Sequence, residues 1–126
     1  LGLEKFANKR VETFSGGMKR RVNLIAGIMH QPKVLFLDEP TVGVDVQSKS
    51  TIMDFLKGLN SKGTTIVYTS HHLLEAQDFC NDIAIIDSGK IIAQGTPREL
   101  IDNQADARNL EDVFIGLTGK ALRDVV

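Results

Sequence analysis

The spacing of apolar residues after Ser15 predicts the first long helix of the chain. Apolar side chains recur there every three or four residues, at Met18, Val22, Ile25 and Met29. Ser15 is a natural N-cap, because its hydroxyl can accept a hydrogen bond from a free backbone N–H at the start of the helix. Pro32 ends the pattern, since the residue before a proline disfavours helical geometry. Residues 1–13 mix charged and apolar positions, which indicates a short helix followed by a connector.

Two short apolar runs flank a second amphipathic pattern, and together they predict a βαβ unit. Residues 34–37 form a continuous apolar run, which is typical of a strand covered on both faces. Residues 64–69 are rich in β-branched side chains, as expected of a second strand. The helix between them is marked by Ile52, Phe55, Leu56 and Leu59. Two strands joined by a crossover helix are expected to pair in parallel.

The pattern beyond residue 69 predicts a helix, a hairpin and two further helices. The apolar side of the helix carries Leu74, Ala76 and Cys80. A hairpin is indicated over residues 82–94. Thr96 and Glu99 form a capping box with proline between them, so another helix starts there, and residues 110–117 carry the last helical pattern. The expected fold is α/β, with parallel strands, flanking helices, a C-terminal β-hairpin and terminal helices.

Charge and composition narrow the classes of function. The 126 residues include 15 basic and 16 acidic side chains, and the net charge of -1 gives no general attraction for nucleic acid. The basic run at 19–21 is expected to be a solvated helix face. No apolar run approaches the ~20 residues that span a bilayer, so direct membrane insertion is not expected. Cys80 is the single cysteine, as expected of a reduced structural thiol in a cytosolic protein.

Two acids and a histidine follow the predicted strands where each strand ends. Asp38 and Glu39 come directly after the first apolar run, and His71 follows the second. Ligands gather outside the carboxyl ends of parallel strands, so the three side chains are expected to converge on one edge. Neighbouring acids point in different directions, so one can face a metal ion and the other a water molecule. A capped turn for the acids and a local backbone partner for the histidine remain alternatives.

The Ser15-Gly16-Gly17 sequence at a predicted helix start could supply the complementary part of an anion site. Free backbone N–H groups at a helix N-terminus attract anions, and glycines allow a phosphate to approach closely. Plain helix capping by Ser15 is the alternative. The sequence contains no G-x-x-x-x-G-K-[ST] motif, which would provide a complete phosphate-binding loop.

The order of four motifs resembles the ATP-binding domains of ABC transporters. FSGGMKRR, VLFLDEP, TVGVD and TSHH follow one another along the chain, and the resemblance covers about the first 95 residues. The tail LEDVFIGLTGKALRD is similar to the end of ATPase subunits from exporters of drugs and polysaccharides. The resemblance implies a P-loop NTPase-like domain of which this chain is the C-terminal portion.

The resemblance also implies the cofactors ATP and Mg²⁺ and a role for each motif residue. By resemblance, Asp38 holds Mg²⁺ through a water molecule, Glu39 is the general base and His71 is the switch histidine. Asp45 belongs to the D-loop, in which Val44 stands where leucine is usual. Met18 stands where many relatives have glutamine. The signature loop, which contacts the ATP phosphate bound by an opposite domain, comprises Ser15, Gly16, Gly17 and Met18.

The expected organisation follows from the same resemblance. Residues 1–30 would end a helical subdomain, 31–102 would carry the Walker B strand, D-loop and switch histidine, and 103–126 would form a C-terminal helical extension. The phosphate-binding loop is expected upstream, so the chain alone should be inactive. Implied partners are a second ATP-binding domain, as a homodimer, and integral membrane permease subunits. This places the protein at the cytoplasmic face of the cell membrane.

Two other functions compete with this one. The chain could be a non-catalytic interaction or dimerisation module that offers its signature helix and sheet edge to a partner. It could also belong to a soluble ATPase of the same family that acts in DNA repair or translation. The nearly neutral net charge and the exporter-like tail argue against a role in DNA repair or translation.

Overall fold

The computed structural model describes residues 1–119, which form two compact units, one of Leu1–Thr69 and one that begins at Ser70. The first unit contains α1 (Gly16–Ile28), β1 (Val34–Asp38), α2 (Val46–Ser61) and β2 (Thr65–Thr69). The second contains α3 (Leu73–Phe79), β3 (Ile83–Asp87), β4 (Lys90–Gly95), α4 (Pro97–Asp102) and α5 (Leu110–Thr118). Residues 120–126, which include the last five residues of the exporter-like tail, lie outside the described residues.

The predicted N-terminal helix is wrong, because the chain forms two 3₁₀ turns there instead. The turns comprise Glu4–Phe6 and Val11–Thr13. Arg10 lies between them in an extended conformation, which interrupts the helical hydrogen bonds. The rings of Phe6 and Phe14 pack edge to face with their centroids 6.0 Å apart. A segment this short gains little from helix formation alone, and the aromatic contact connects its first turn to Phe14.

The predicted parallel βαβ unit is confirmed. Strands β1 and β2 pair in parallel, with Val34 opposite Thr65 and Asp38 opposite Thr69. The connecting helix α2 buries Ile52 and Leu56, which lie four residues apart on one face. The register places the end of β1 directly beside the end of β2.

Strand β1 is not covered on both faces within the described residues, contrary to its continuous apolar pattern. Leu35 is buried, but Val34 is 48% exposed and Phe36 is 75% exposed. Alternate side chains point to opposite faces of a strand, and no described element packs fully over the face that carries Phe36. Both faces of β1 are therefore apolar, but the described elements bury only the face that carries Leu35.

The second unit confirms the predicted hairpin and the predicted helix start at Thr96. Strands β3 and β4 pair antiparallel, and their turn places Ser88 and Gly89 at φ 51° and 76°. Positive φ at both central residues is the geometry of the commonest two-residue hairpin turn. Thr96 Oγ1 accepts a hydrogen bond from the Glu99 N–H at 3.1 Å at the start of α4. The core of this unit consists of Ile85, Leu100, Leu110 and Val113.

None of the helices within residues 1–119 has both the length and the apolar character that crossing a bilayer requires.

Candidate functional site

Asp38 ends β1 with its carboxylate held by the neighbouring strand. The Thr69 hydroxyl donates a hydrogen bond to Asp38 Oδ1 at 2.6 Å, a short hydrogen bond between two oxygen atoms. The two residues are register partners at the ends of their strands. Within residues 1–119 the structure shows no other hydrogen bond to this exposed carboxylate. Asp38 therefore has one oxygen fixed and the other available to a ligand.

Glu39 departs from the strand through an unusual backbone conformation. Its φ is 46°, in the left-handed region that favours glycine, and such a residue carries strain of about 1–3 kcal/mol. Its N–H donates to the Thr69 carbonyl at 3.0 Å, and its carbonyl accepts from the Val42 N–H at 3.2 Å. Glu39 Oε1 is shielded from solvent, whereas Asp38 is exposed. The two neighbouring acids thus have different surroundings, and the cause is the left-handed turn at Glu39 after β1 has ended, not the strand alternation assumed from the sequence.

The donor set at this strand end fits a magnesium ion that is held mainly by its nucleotide. Among residues 1–119 no three His, Cys, Asp or Glu side chains are grouped closely enough to hold a metal ion by themselves. Mg²⁺ in phosphoryl-transfer enzymes keeps several waters and takes only one or two carboxylates besides the phosphates. One ordered, accessible carboxylate at Asp38 suits such a site, and a protein-only metal cage is not formed.

The signature segment begins α1 with a capped turn. Ser15 Oγ accepts a hydrogen bond from the Met18 N–H at 3.1 Å, so the predicted N-cap is confirmed. Gly16 is exposed, and a Cβ added to it would meet no atom within 4 Å. An open, side-chain-free surface at this helix start is compatible with close approach of an anion. The capping bond uses the Ser15 oxygen as an acceptor and leaves its O–H as a donor.

Gly17 connects the signature segment to the start of α2. It is buried, and a Cβ added to it would overlap Ser48 Oγ and lie 2.7 Å from Asp45 Oδ1. Asp45 caps α2 by accepting the Ser48 N–H at 3.1 Å through Oδ2. The structure therefore brings together two of the predicted site residues, Gly17 and Asp45. Sequence reasoning missed Ser48, whose only local signal is its place three residues after a capping aspartate.

The same contacts lower the pKa of Asp45 below its ordinary value. The largest cause is the hydrogen bond from the Ser48 backbone N–H, followed by the Ser48 hydroxyl, and the Arg21 charge contributes in the same direction. A hydrogen bond to the charged form of a carboxyl group favours that form.

Asp45→Asn is expected to flatten the acid side of the pH–stability profile. The pKa of Asp45 is lower in the folded chain than in the unfolded chain, where about 3.9 is usual. Its ionised form therefore stabilises the fold above that pH, and this stabilisation is lost as pH falls through the lower folded-state pKa. Asparagine keeps the cap without the charge. Urea unfolding of both chains between about pH 3 and 7 measures the difference, and parallel profiles would contradict the prediction.

The basic run is not simply a solvated helix face. Lys19 is exposed, but Arg20 and Arg21 are half-buried. Arg20 Nη2 donates to the Val42 carbonyl at 3.2 Å, and Arg21 Nη1 donates to the Leu1 carbonyl at 3.0 Å. A guanidinium group carries several N–H donors at the end of a long side chain, so it can donate to backbone carbonyls in loops outside its own helix. Arg20 thus ties α1 to the loop that precedes α2.

His71 lies at the beginning of the second unit, two residues after β2, and it is exposed. The His72 N–H donates to Ser70 Oγ at 2.9 Å, and His72 takes the N-cap position of α3. The convergence of His71 with Asp38 and Glu39 stays a prediction.

Comparison with known proteins places these motifs in a family. A family model described as ABC transporter matches residues 1–42. Linearmycin resistance ATP-binding protein LnrL of Bacillus subtilis (strain 168) is 50% identical over 100 residues, which cover 79% of this chain and 32% of that protein. Nod factor export ATP-binding protein I of Cupriavidus pinatubonensis (strain JMP 134 / LMG 1197) is 43% identical over 102 residues, which cover 81% of this chain and 31% of that protein. The structure of cbiO1 from Clostridium perfringens, described as part of the ABC transporter complex cbiONQ, is 33% identical, with a TM-score of 0.70 over 79% of this chain and 40% of that chain.

The chain belongs to the ATP-binding proteins of ABC transporters, and its fold is that of a part of their P-loop NTPase domain. The fold class predicted from the sequence is confirmed. Its curated relatives carry the names of resistance and export proteins, and the chain spans about a third of their length. Proteins of this family bind ATP, usually with Mg²⁺.

Proposed function

We propose that this chain is the C-terminal portion of an ABC ATPase domain in a protein that couples ATP binding and hydrolysis to export. The observation that carries the proposal is the pair of acids at the end of β1, held by two hydrogen bonds to Thr69. The names of the relatives support export as the process. Residues 1–30 would complete a helical subdomain, 31–102 would carry the catalytic core and 103–126 would form an extension.

Asp38, Glu39 and His71 would each have a separate role in ATP hydrolysis. Magnesium, when bound with ATP, neutralises charge on the phosphates. Asp38 would hold that ion through a water molecule with its available carboxylate oxygen. Glu39 would accept a proton from the attacking water. Its Oε1 is shielded from solvent, so this base lies in a different environment from Asp38. His71 would donate a hydrogen bond to the terminal phosphate or position the same water.

The signature and D-loop residues would act on a nucleotide bound by a second ATP-binding domain. Gly16 presents an open surface at the start of α1, where backbone N–H groups point toward an anion. Ser15 keeps an O–H donor, and the Met18 N–H donates to Ser15 Oγ and so closes the turn that shapes this loop. Asp45 supports this loop through Gly17. ATP would therefore be contacted by two domains at once, which makes a homodimer the expected assembly.

Integral membrane permease subunits are the proposed coupling partners, and the cytoplasmic face of the cell membrane is the proposed location. The likeness to cbiO1, described as part of an ABC transporter complex, supports such an assembly. Closure of two ATP-binding domains would be the mechanical step that drives the permease.

The purified chain is expected to show no ATP hydrolysis above background. Its sequence has no G-x-x-x-x-G-K-[ST] segment, so the lysine and backbone N–H groups that hold the β- and γ-phosphates are missing. A phosphate-release assay with ATP and Mg²⁺ measures this, with the longer protein that carries the chain as the positive control. Turnover by the chain that His71→Ala abolishes would contradict the expectation. A gene product without a phosphate-binding loop would contradict the proposed function itself.

A second candidate function is pairing with another polypeptide without catalysis. It is favoured by the exposed apolar face of β1, where Phe36 is 75% exposed, and by a groove of about 530 Å³ between α1 and β1. Apolar surface of this kind is often buried by a partner. A native mass measurement separates the two functions, because a module that pairs with a second copy of itself would exist as a dimer without nucleotide.

A further inference from the structure

Thr69 contacts both predicted acids through different atoms. Its hydroxyl donates to Asp38 Oδ1 at 2.6 Å, and its carbonyl accepts the Glu39 N–H at 3.0 Å. We propose that Thr69 is the positioning residue that orients Asp38 toward the magnesium ion of the bound nucleotide. This inference rests on the proposed function, because it assigns a partner to the acid that would hold the ion.

The hydrogen bond to Oδ1 decides how the Asp38 carboxylate is presented. Asp38 is exposed, so its side chain would otherwise rotate freely about a bond that has no strong preference. Thr69 is β-branched and stiff about its first torsion, and the strand register holds the two residues side by side. One carboxylate oxygen is thereby fixed, which restricts the positions that the second oxygen can take. Residues that orient a metal-binding carboxylate are typically worth about 10–100-fold in metal affinity.

The two contacts can be separated by mutation. A change of the Thr69 side chain removes the bond to Asp38 but leaves the carbonyl that holds the Glu39 backbone. Thr69→Val keeps the shape and the strand preference of threonine and replaces the hydroxyl by a methyl group. The metal affinity should therefore fall while the chemical step with saturating metal is kept.

The matched control lies on the same strand. Thr65 is exposed, lies on the same face as Thr69 and pairs with Val34 at the opposite end of β2. The structure shows no side-chain hydrogen bond for Thr65 within residues 1–119. Thr65→Val thus makes the same chemical change away from Asp38.

Manganese binding provides the test, since Mn²⁺ can stand in for Mg²⁺ and is detected by electron paramagnetic resonance. The longer protein is titrated with Mn²⁺ in the presence of a non-hydrolysable ATP analogue. Thr69→Val is expected to weaken Mn²⁺ binding about 10-fold or more, within the range for residues that orient a metal ligand. Thr69→Ser, which keeps a hydroxyl, and Thr65→Val are expected to bind Mn²⁺ like the wild type. In ATP hydrolysis, Thr69→Val should raise the Mg²⁺ concentration at half-maximal rate by a similar factor and leave kcat at saturating Mg²⁺ nearly unchanged.

Each other outcome has a distinct meaning. Unchanged Mn²⁺ affinity in Thr69→Val would overturn the inference, and so would an equal loss in Thr69→Ser, because packing would then explain it. Asp38→Asn is measured alongside: if it also binds Mn²⁺ normally, the metal-binding role of Asp38 in the proposed function fails. If Asp38→Asn weakens binding and Thr69→Val does not, only the role of Thr69 fails. Circular dichroism checks folding, and Thr69→Ala replaces Thr69→Val with the same expectation if the latter does not fold.

Discussion

Replacement of Glu39 by glutamine is expected to stop ATP turnover by the longer protein while nucleotide binding is kept. A carboxylate that accepts the proton of the attacking water contributes about 10²–10⁴-fold to the rate, and an amide cannot accept it. Glutamine has nearly the same size, so it should keep the left-handed turn at φ 46° and the hydrogen bond from residue 39 to the Thr69 carbonyl. The loss should therefore appear in kcat and not in affinity for ATP.

The measurement combines single-turnover hydrolysis with calorimetric binding of ATP and Mg²⁺. Glu4→Gln is a suitable control, because Glu4 is exposed in the first 3₁₀ turn and the substitution makes the same change of charge. It should leave both quantities unchanged. Hydrolysis at the wild-type rate in Glu39→Gln would remove Glu39 from its proposed role. Loss of ATP binding together with hydrolysis would instead indicate that the acid is needed to shape the turn after β1.

Much of this fold could be predicted because its signals are local. The apolar run of β1 and the β-branched run of β2 determine two strands, and the intervening helix requires a parallel crossover. The Ser15 cap and the Thr96 cap depend on residues three positions away, so their spacing in the sequence is sufficient. These contacts need no knowledge of tertiary packing.

The contacts that the sequence did not predict join residues far apart in the chain. The Thr69 hydroxyl reaches an acid 31 positions earlier, and nothing in a run of β-branched residues distinguishes a threonine that makes a hydrogen bond from one that favours a strand. Arg20 and Arg21 form a basic run that resembles a solvated face, yet each holds a distant carbonyl. Phe36 shows the converse, because an apolar pattern reports which side chains could be buried and not which elements cover them.

Gly17 is the position in the signature segment where an added side chain should destabilise the fold most. Gly17→Val is expected to lower the free energy of unfolding by about 1–3 kcal/mol, the usual cost of overpacking a filled interior. A Cβ at residue 17 would overlap Ser48 Oγ and lie 2.7 Å from both Ser48 Cβ and Asp45 Oδ1. Ser48 is buried and its backbone N–H donates to the Asp45 carboxylate, so Ser48 Cβ cannot move aside without loss of that hydrogen bond. The start of α1 must then retreat from the start of α2.

Gly16→Val is the matched control, because it makes the same substitution one residue earlier in the same helix. A Cβ at Gly16 meets nothing within 4 Å, so the variant reports the change in helix preference alone. Urea unfolding of the purified chain gives both free energies, and equal values would show that Gly17 is not tightly packed. A double-mutant cycle with Ser48→Gly sharpens the test, since removal of the overlapped atoms should relieve part of the loss caused by Gly17→Val. Such relief would show that the start of α1 and the start of α2 are energetically coupled through the contact between Gly17 and Ser48.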